Sequence, residues 1–170
     1  MAIRSDGGIV SWGNDDGGQV SYTPTQTGFK SISAGGYHTI AIQSAPLSFA
    51  GFLSPIGGAD TSGGSFASPL RTFKMGSTIP VKFTASSGGT AVLSGVHTLQ
   101  VIKYTGSTTA GTAIDATPQD AATIGDQFRG TDGQWQFNLD TKATGMSIGI
   151  WQFIATLSDG SQHSVWIQLK

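Results

Sequence analysis

The chain has no cysteine, so disulfide stapling, thiolate metal sites and thiol nucleophiles are excluded at the outset. Charge is scarce as well. Charged residues make up 11% of the 170, the formal net charge is -1, and no basic block is present. That removes the electrostatic footprint of a protein that binds nucleic-acid backbone or is drawn to a membrane surface. No apolar run reaches the length that spans a bilayer, and the opening residues Met1 to Gly8 lack the apolar core of an export signal.

What is there is glycine and a moderate apolar content: 25 glycines and 38% apolar residues describe a folded, turn-rich chain rather than a disordered one. The length accommodates one sizeable domain, or one domain and a smaller unit. The clearest periodic stretch is Ile79-Pro80-Val81-Lys82-Phe83, where Ile79, Val81 and Phe83 alternate with Pro80 and Lys82 at the two-residue period of a strand buried on one face.

Residues 2 to 12 carry two short apolar groups around the hairpin-compatible turn Asp6-Gly7-Gly8. A Gly-rich stretch from Trp12 to Val20 follows, and then a second strand pair, Phe29 to Ser33 and Tyr37 to Ile42, separated by Ala34-Gly35-Gly36. Residues 43–46 form a short Pro-containing connection, and a Gly/Ser-rich loop near 57–68 precedes the organising strand. Alternation then recurs in Val96 to Tyr104, in Gln134 to Asp140, from Trp151 to Leu157 and from Val165 to Leu169, with turns at Gly88-Gly89, Asp132-Gly133 and Asp159-Gly160. No amphipathic helix competes; Pro118 to Ile124 has room for one helical turn. Opposed apolar faces on short strands are best satisfied by two packed sheets, so the pattern predicts an all-β chain whose residues 46–170 form an immunoglobulin-like β-sandwich without the Cys…Trp…Cys arrangement, Trp135 and Trp151 packing its core.

Two stretches resemble known families. Ala2 to Asn14, Gly18-Gln19-Val20 and Phe29 to Ile42, with Trp12 and Tyr37-His38 among them, resemble a single repeat of the regulator-of-chromosome-condensation propeller family. The resemblance implies a propeller-blade-like antiparallel sheet over residues 1–45, lacking the further repeats that close a ring. A lone blade leaves strand edges and an apolar face to be covered by a neighbour. Phe49 to Ile56, Phe73 to Phe83, Trp135 to Lys142, Gly149-Ile150-Trp151 and Leu157 to Lys170 are similar to a domain with a Pro-x-Lys-Phe signature, recurrent in large bacterial and archaeal surface or secreted proteins. That similarity implies an accessory module, carrying no catalytic residues over to this chain.

Candidate sites are few. Asp15 and Asp16 offer oxygen ligands of the kind calcium takes, but their spacing is not that of an ordered ligand loop, and the turn reading comes first. Asp6, Asp132, Asp140 and Asp159 read as turn and strand-end residues. His38, His97 and His163 lie far apart without zinc-ligand spacing. There is no Gly-x-Ser-x-Gly elbow and no phosphate-binding glycine loop, so neither an enzyme nor a cofactor is expected. Among the tryptophans, Trp166 lies on the opposite strand face from Val165 and Ile167 and is the exposed candidate.

Tyr37, His38 and Trp166 are therefore the interface candidates. The expected role is a non-catalytic structural or interaction module of a surface, fibre, filament or virion assembly, extracellular or at a cell or virion surface. Its expected partner is a second copy or a larger protein assembly. The alternative is a carbohydrate- or cell-surface-binding accessory module, favoured if two aromatics converge beside Asp, Asn or Gln.

Overall fold

The computed structural model of the chain describes residues 1–170 apart from Asp6, Thr27, Gly36, Tyr37, Ala59, Ala121 and Ala122. The described residues are all-β, and the chain divides into two compact units, Met1–Pro46 and Leu47–Lys170.

In the first unit β1 (Ala2–Ile3) pairs antiparallel with β2 (Ile9–Val10), and β3 (Phe29–Ala34) pairs antiparallel with β4 (Thr39–Gln43). These are two separate two-stranded sheets, not the single four-stranded sheet that a propeller blade requires. The physical reason lies in strand length: β1 and β2 are two residues each, too short to extend a ladder. One hydrogen bond, from Phe29 N–H to the Gly7 carbonyl at 3.0 Å, links the hairpins. Of this unit's described large apolar side chains only Ile9 and Phe29 are buried.

The second unit contains β5 (Ser48–Phe52), β6 (Arg71–Phe73), β7 (Thr78–Ser87), β8 (Thr90–Ala91), β9 (Thr98–Gly106), β10 (Thr109–Ala110), β11 (Ile114–Asp115), β12 (Arg129–Thr131), β13 (Gln134–Asp140), β14 (Gly149–Thr156) and β15 (Gln162–Leu169). They make two open sheets. One runs β12-β13-β7-β5 with β8 added beside β7; the other runs β10-β9-β14-β15-β6 with β11 added beside β9. Every pairing is antiparallel except that of β15 with β6.

The alternation read from the sequence sets the layers. Ile79, Val81 and Phe83 of β7 are fully buried and join Trp135, Phe137 and Leu139 of β13 on one side of the core. Leu99 and Val101 of β9, Trp151 and Phe153 of β14, and Val165, Ile167 and Leu169 of β15 supply the other side of the same cluster. Both core tryptophans place their polar end, Trp135 Nε1 donating to the Val92 carbonyl at 2.9 Å and Trp151 Nε1 to the Ser147 carbonyl at 2.8 Å.

Pro80 is tolerated inside β7 for a local reason. Leu53 N–H donates to the Lys82 carbonyl, so Lys82 and, two residues earlier, Pro80 turn their backbone toward the β5 side. Since β5 ends at Phe52, the missing proline N–H leaves no carbonyl unpaired there. Asp132 and Gly133, at φ 49° and 78°, form the two-residue turn between β12 and β13 that demands left-handed backbone.

Candidate functional site

Strand alternation directs the chemistry-bearing residues of the second unit to two places. The first is the turn between β14 and β15. Leu47 N–H donates to Asp159 Oδ2 at 2.7 Å, Ser161 Oγ–H donates to Asp159 Oδ1 at 2.7 Å, and Ser161 Oγ lies 3.3 Å from His163 Nε2. Ser158 N–H donates to His97 Nδ1 at 3.1 Å, which puts the proton of the neutral ring on Nε2. His97 is fully buried, edge-on to Trp135 at 4.2 Å, and its Nε2 finds no partner among the described residues. His163 stacks on Phe49 at 4.1 Å with the rings 9° from parallel.

The fold thus gathers Ser, His and Asp, but in an order that cannot activate a nucleophile. A triad needs the imidazole between hydroxyl and carboxylate; here Ser161 sits between His163 and Asp159 and commits its proton to the carboxylate. Burial works to raise the Asp159 carboxyl, and the Leu47 N–H with the Ser161 hydrogen bonds outweighs it, leaving the group below its ordinary value and a poor base. Burial pushes both His97 and His163 down, against the opposing pull of Asp159. A cleft of about 460 Å³ between β5, residues 61–63 and the start of β15 admits the His163 ring but no carboxylate, and one of about 380 Å³ beside it presents Asp60 without an imidazole.

The second place is the outer face of the six-stranded sheet, where the register sets Gln152 opposite Trp166 on one side and Ile102 on the other. Trp166 is half-buried, and the Tyr104 ring meets it at 4.5 Å and 61°. Phe66, from the loop before β6, stands edge-on to Trp166 at 6.3 Å. Tyr104 Oη–H donates to Gln152 Oε1 at 3.1 Å, and Gln152 Nε2 donates onward to Ser164 Oγ at 3.1 Å. Tyr104 and Phe66 were not singled out by sequence reasoning. The only signal for Tyr104 was its place in the β9 alternation, because its partner is far along the chain and reached only through sheet register.

In the first unit, Asp15 is a loop clamp: its carboxylate accepts the Val20 and Ser21 N–H groups at 2.7 and 3.0 Å and the Ser21 hydroxyl. The Ser21 hydroxyl first, then these backbone donors, hold its carboxyl below the ordinary value. Asp16 is tied to Asn14. Among the described residues no group of three or more His, Cys, Asp or Glu side chains is placed to share a metal ion. His38 is exposed immediately before β4, while Tyr37, like Asp6 of the first turn and Ala121 and Ala122 of the predicted helical turn, lies outside the described residues.

No family model, curated protein or solved structure matches the chain. This finding corrects both resemblances drawn from the motifs. The glycines with Trp12 and Tyr37-His38 do not mark a propeller repeat, as the two separate hairpins of the first unit also indicate. The stretch around Ile79 to Phe83 does not place residues 46–170 in the Pro-x-Lys-Phe domain family. What stands is an all-β fold with two open multi-strand sheets in the second unit. Among the described residues no helix is long and apolar enough to cross a membrane.

Proposed function

We propose that the protein is a non-catalytic interaction module of a larger assembly at an extracellular, cell or virion surface, with the first unit as its self-association element. One observation carries the reading: Ile40 and Ile42, both 63% exposed, share a face of the β3–β4 hairpin. Their cross-strand neighbours there are Ser33 and Ser31, the register shift before Ser31 leaves the exposed Lys30 at the end of the same face, and a two-fold pairing would bury the two isoleucines on both partners. Among the described residues the β3–β4 sheet has two strands only, a form that strand addition by the same partner extends. Trp12 and Tyr22 add further exposed aromatic surface to this unit.

The second unit is read as an immunoglobulin-like β-sandwich serving as the stable body. In chain order β5, β7, β12 and β13 take one sheet and β9, β14 and β15 the other, the division such a sandwich makes. The test is solution mass by light scattering over a concentration series. An Ile40→Ser, Ile42→Ser double variant is expected to shift the protein from a defined oligomer to monomer with its melting temperature intact. A wild-type protein that is monomeric throughout, or a variant with unchanged mass, contradicts the reading.

A second reading, recognition of a carbohydrate or cell surface by the second unit, is favoured by the convergence of Trp166 and Tyr104 beside Gln152.

A further inference from the structure

We propose that the outer face of the six-stranded sheet binds an uncharged saccharide chain, laid over Trp166 and Tyr104 and hydrogen-bonded by the amides and hydroxyls between them. This rests on the second reading above and deepens it to a site and a ligand class.

Three features of the face select that ligand. The first is the aromatic corner: Trp166 and Tyr104 meet at 61° across β14, with Phe66 bounding Trp166 on another side. Sugar rings present apolar C–H faces that pack on such surfaces, and the large aromatic area supplies most of the contact. The second is a fixed polar strip. Gln152 is held from both ends by Tyr104 and Ser164, and an amide carries two N–H donors and two acceptor sites on its oxygen. One N–H of Gln152 thus remains for a ligand, its orientation set before binding, so little side-chain entropy is lost on contact. Gln168 accepts from Thr72 through Oε1, and among the described residues its N–H donors have no acceptor.

The third is the absence of charge. On β9, β14 and β15 no side chain of the outward face carries a formal charge; Asp115 of β11, beside β9, already receives the Gln100 amide at 2.8 Å. A phosphate, a sulfated or uronic-acid chain or a nucleic acid finds no counter-ion on these strands. A protein partner calls for a continuous dry apolar patch at its centre, whereas here Gln152 lies opposite Trp166 and Ser164 and Gln168 flank it on its own strand, interrupting the apolar surface of Ile102, Ile150 and Ile154. A ligand that alternates C–H faces with hydroxyl groups matches the alternation of the face.

The test is affinity electrophoresis of the full chain in gels containing neutral polysaccharides (a soluble β-glucan, galactomannan, dextran) or acidic ones (alginate, hyaluronan). Wild type is run beside Trp166→Ala, Tyr104→Phe and, as control, Trp12→Ala. The expected result is retardation by at least one neutral polysaccharide, affinity about tenfold weaker in Trp166→Ala, and no change in Trp12→Ala. A second measurement needs no variant: titrating that polysaccharide's oligosaccharide into the wild-type protein should shift the Trp166 indole N–H resonance and leave those of Trp12, Trp135 and Trp151 in place. Retardation by acidic chains only, or neutral binding that leaves Trp166 unperturbed, overturns this inference while leaving the second reading standing. No retardation by either class overturns both.

Discussion

Replacing Phe83 by alanine should remove one of the largest contributions to the core of the second unit. Phe83 is fully buried in the middle of β7. Its ring meets Phe128 at 4.9 Å, Phe49 at 5.4 Å and His97 at 5.6 Å, and its backbone pairs with Trp135 on one side and Phe52 on the other. Truncating a buried phenylalanine costs about 3–5 kcal/mol, transfer and cavity terms together, and the high end applies here because the two flanking strands keep the site from collapsing. Against a total of about 5–15 kcal/mol for a domain, that is a large fraction. The melting temperature should fall on the order of 15 °C. Urea unfolding followed by tryptophan fluorescence measures it, and Phe83→Leu, which keeps most of the volume, should cost about 1.5 kcal/mol or less. A loss below about 1.5 kcal/mol for Phe83→Ala, with an unchanged urea slope, would refute the assignment of this strand as the centre of the core.

Acidification should destabilise the second unit through His97 and His163. Both are pushed below the ordinary value of 6.5 in the folded state, so the unfolded chain binds more protons, and stability is full above that value and lost as pH falls from it toward the folded values. The slope is at most about 1.4 kcal/mol per pH unit per group, and His97→Phe should flatten a plot of urea midpoint against pH. Gly57→Ala should be far more damaging than Gly58→Ala: the new Cβ at 57 would lie 2.0 Å from the Phe52 carbonyl oxygen, while at 58 nothing is near and only the positive φ of 73° costs, about 1 kcal/mol. Asp159→Ala should cost about 1–3 kcal/mol by leaving the Leu47 and Ser161 donors without their acceptor, measurable by the same unfolding experiment.

Strand alternation made the core legible. The inward side chains of β7, β13, β14 and β15 follow from a two-residue period, and so does the outward position of Trp166. Pairing was not legible, because it depends on contacts between distant residues. Nothing local says that β6 leaves the sheet of β5 to run parallel with β15, or that Tyr104 leans over Gln152 to reach Trp166. The propeller resemblance failed for a related reason. Turn glycines and short apolar groups set where a chain reverses, whereas a blade is defined by four strands joined edge to edge, and β2 and β3 do not pair. Ser161, His163 and Asp159 show the same limit at a site, since residue types can be read from a sequence while the order of their hydrogen bonds cannot.

The most direct test of the assembly reading compares the solution mass of the intact chain with that of Leu47–Lys170, by light scattering across a concentration series. Self-association through the first unit predicts a defined oligomer for the intact chain and a monomer for the shorter one. Compact monomers in both cases, or the same oligomer in both, would contradict it.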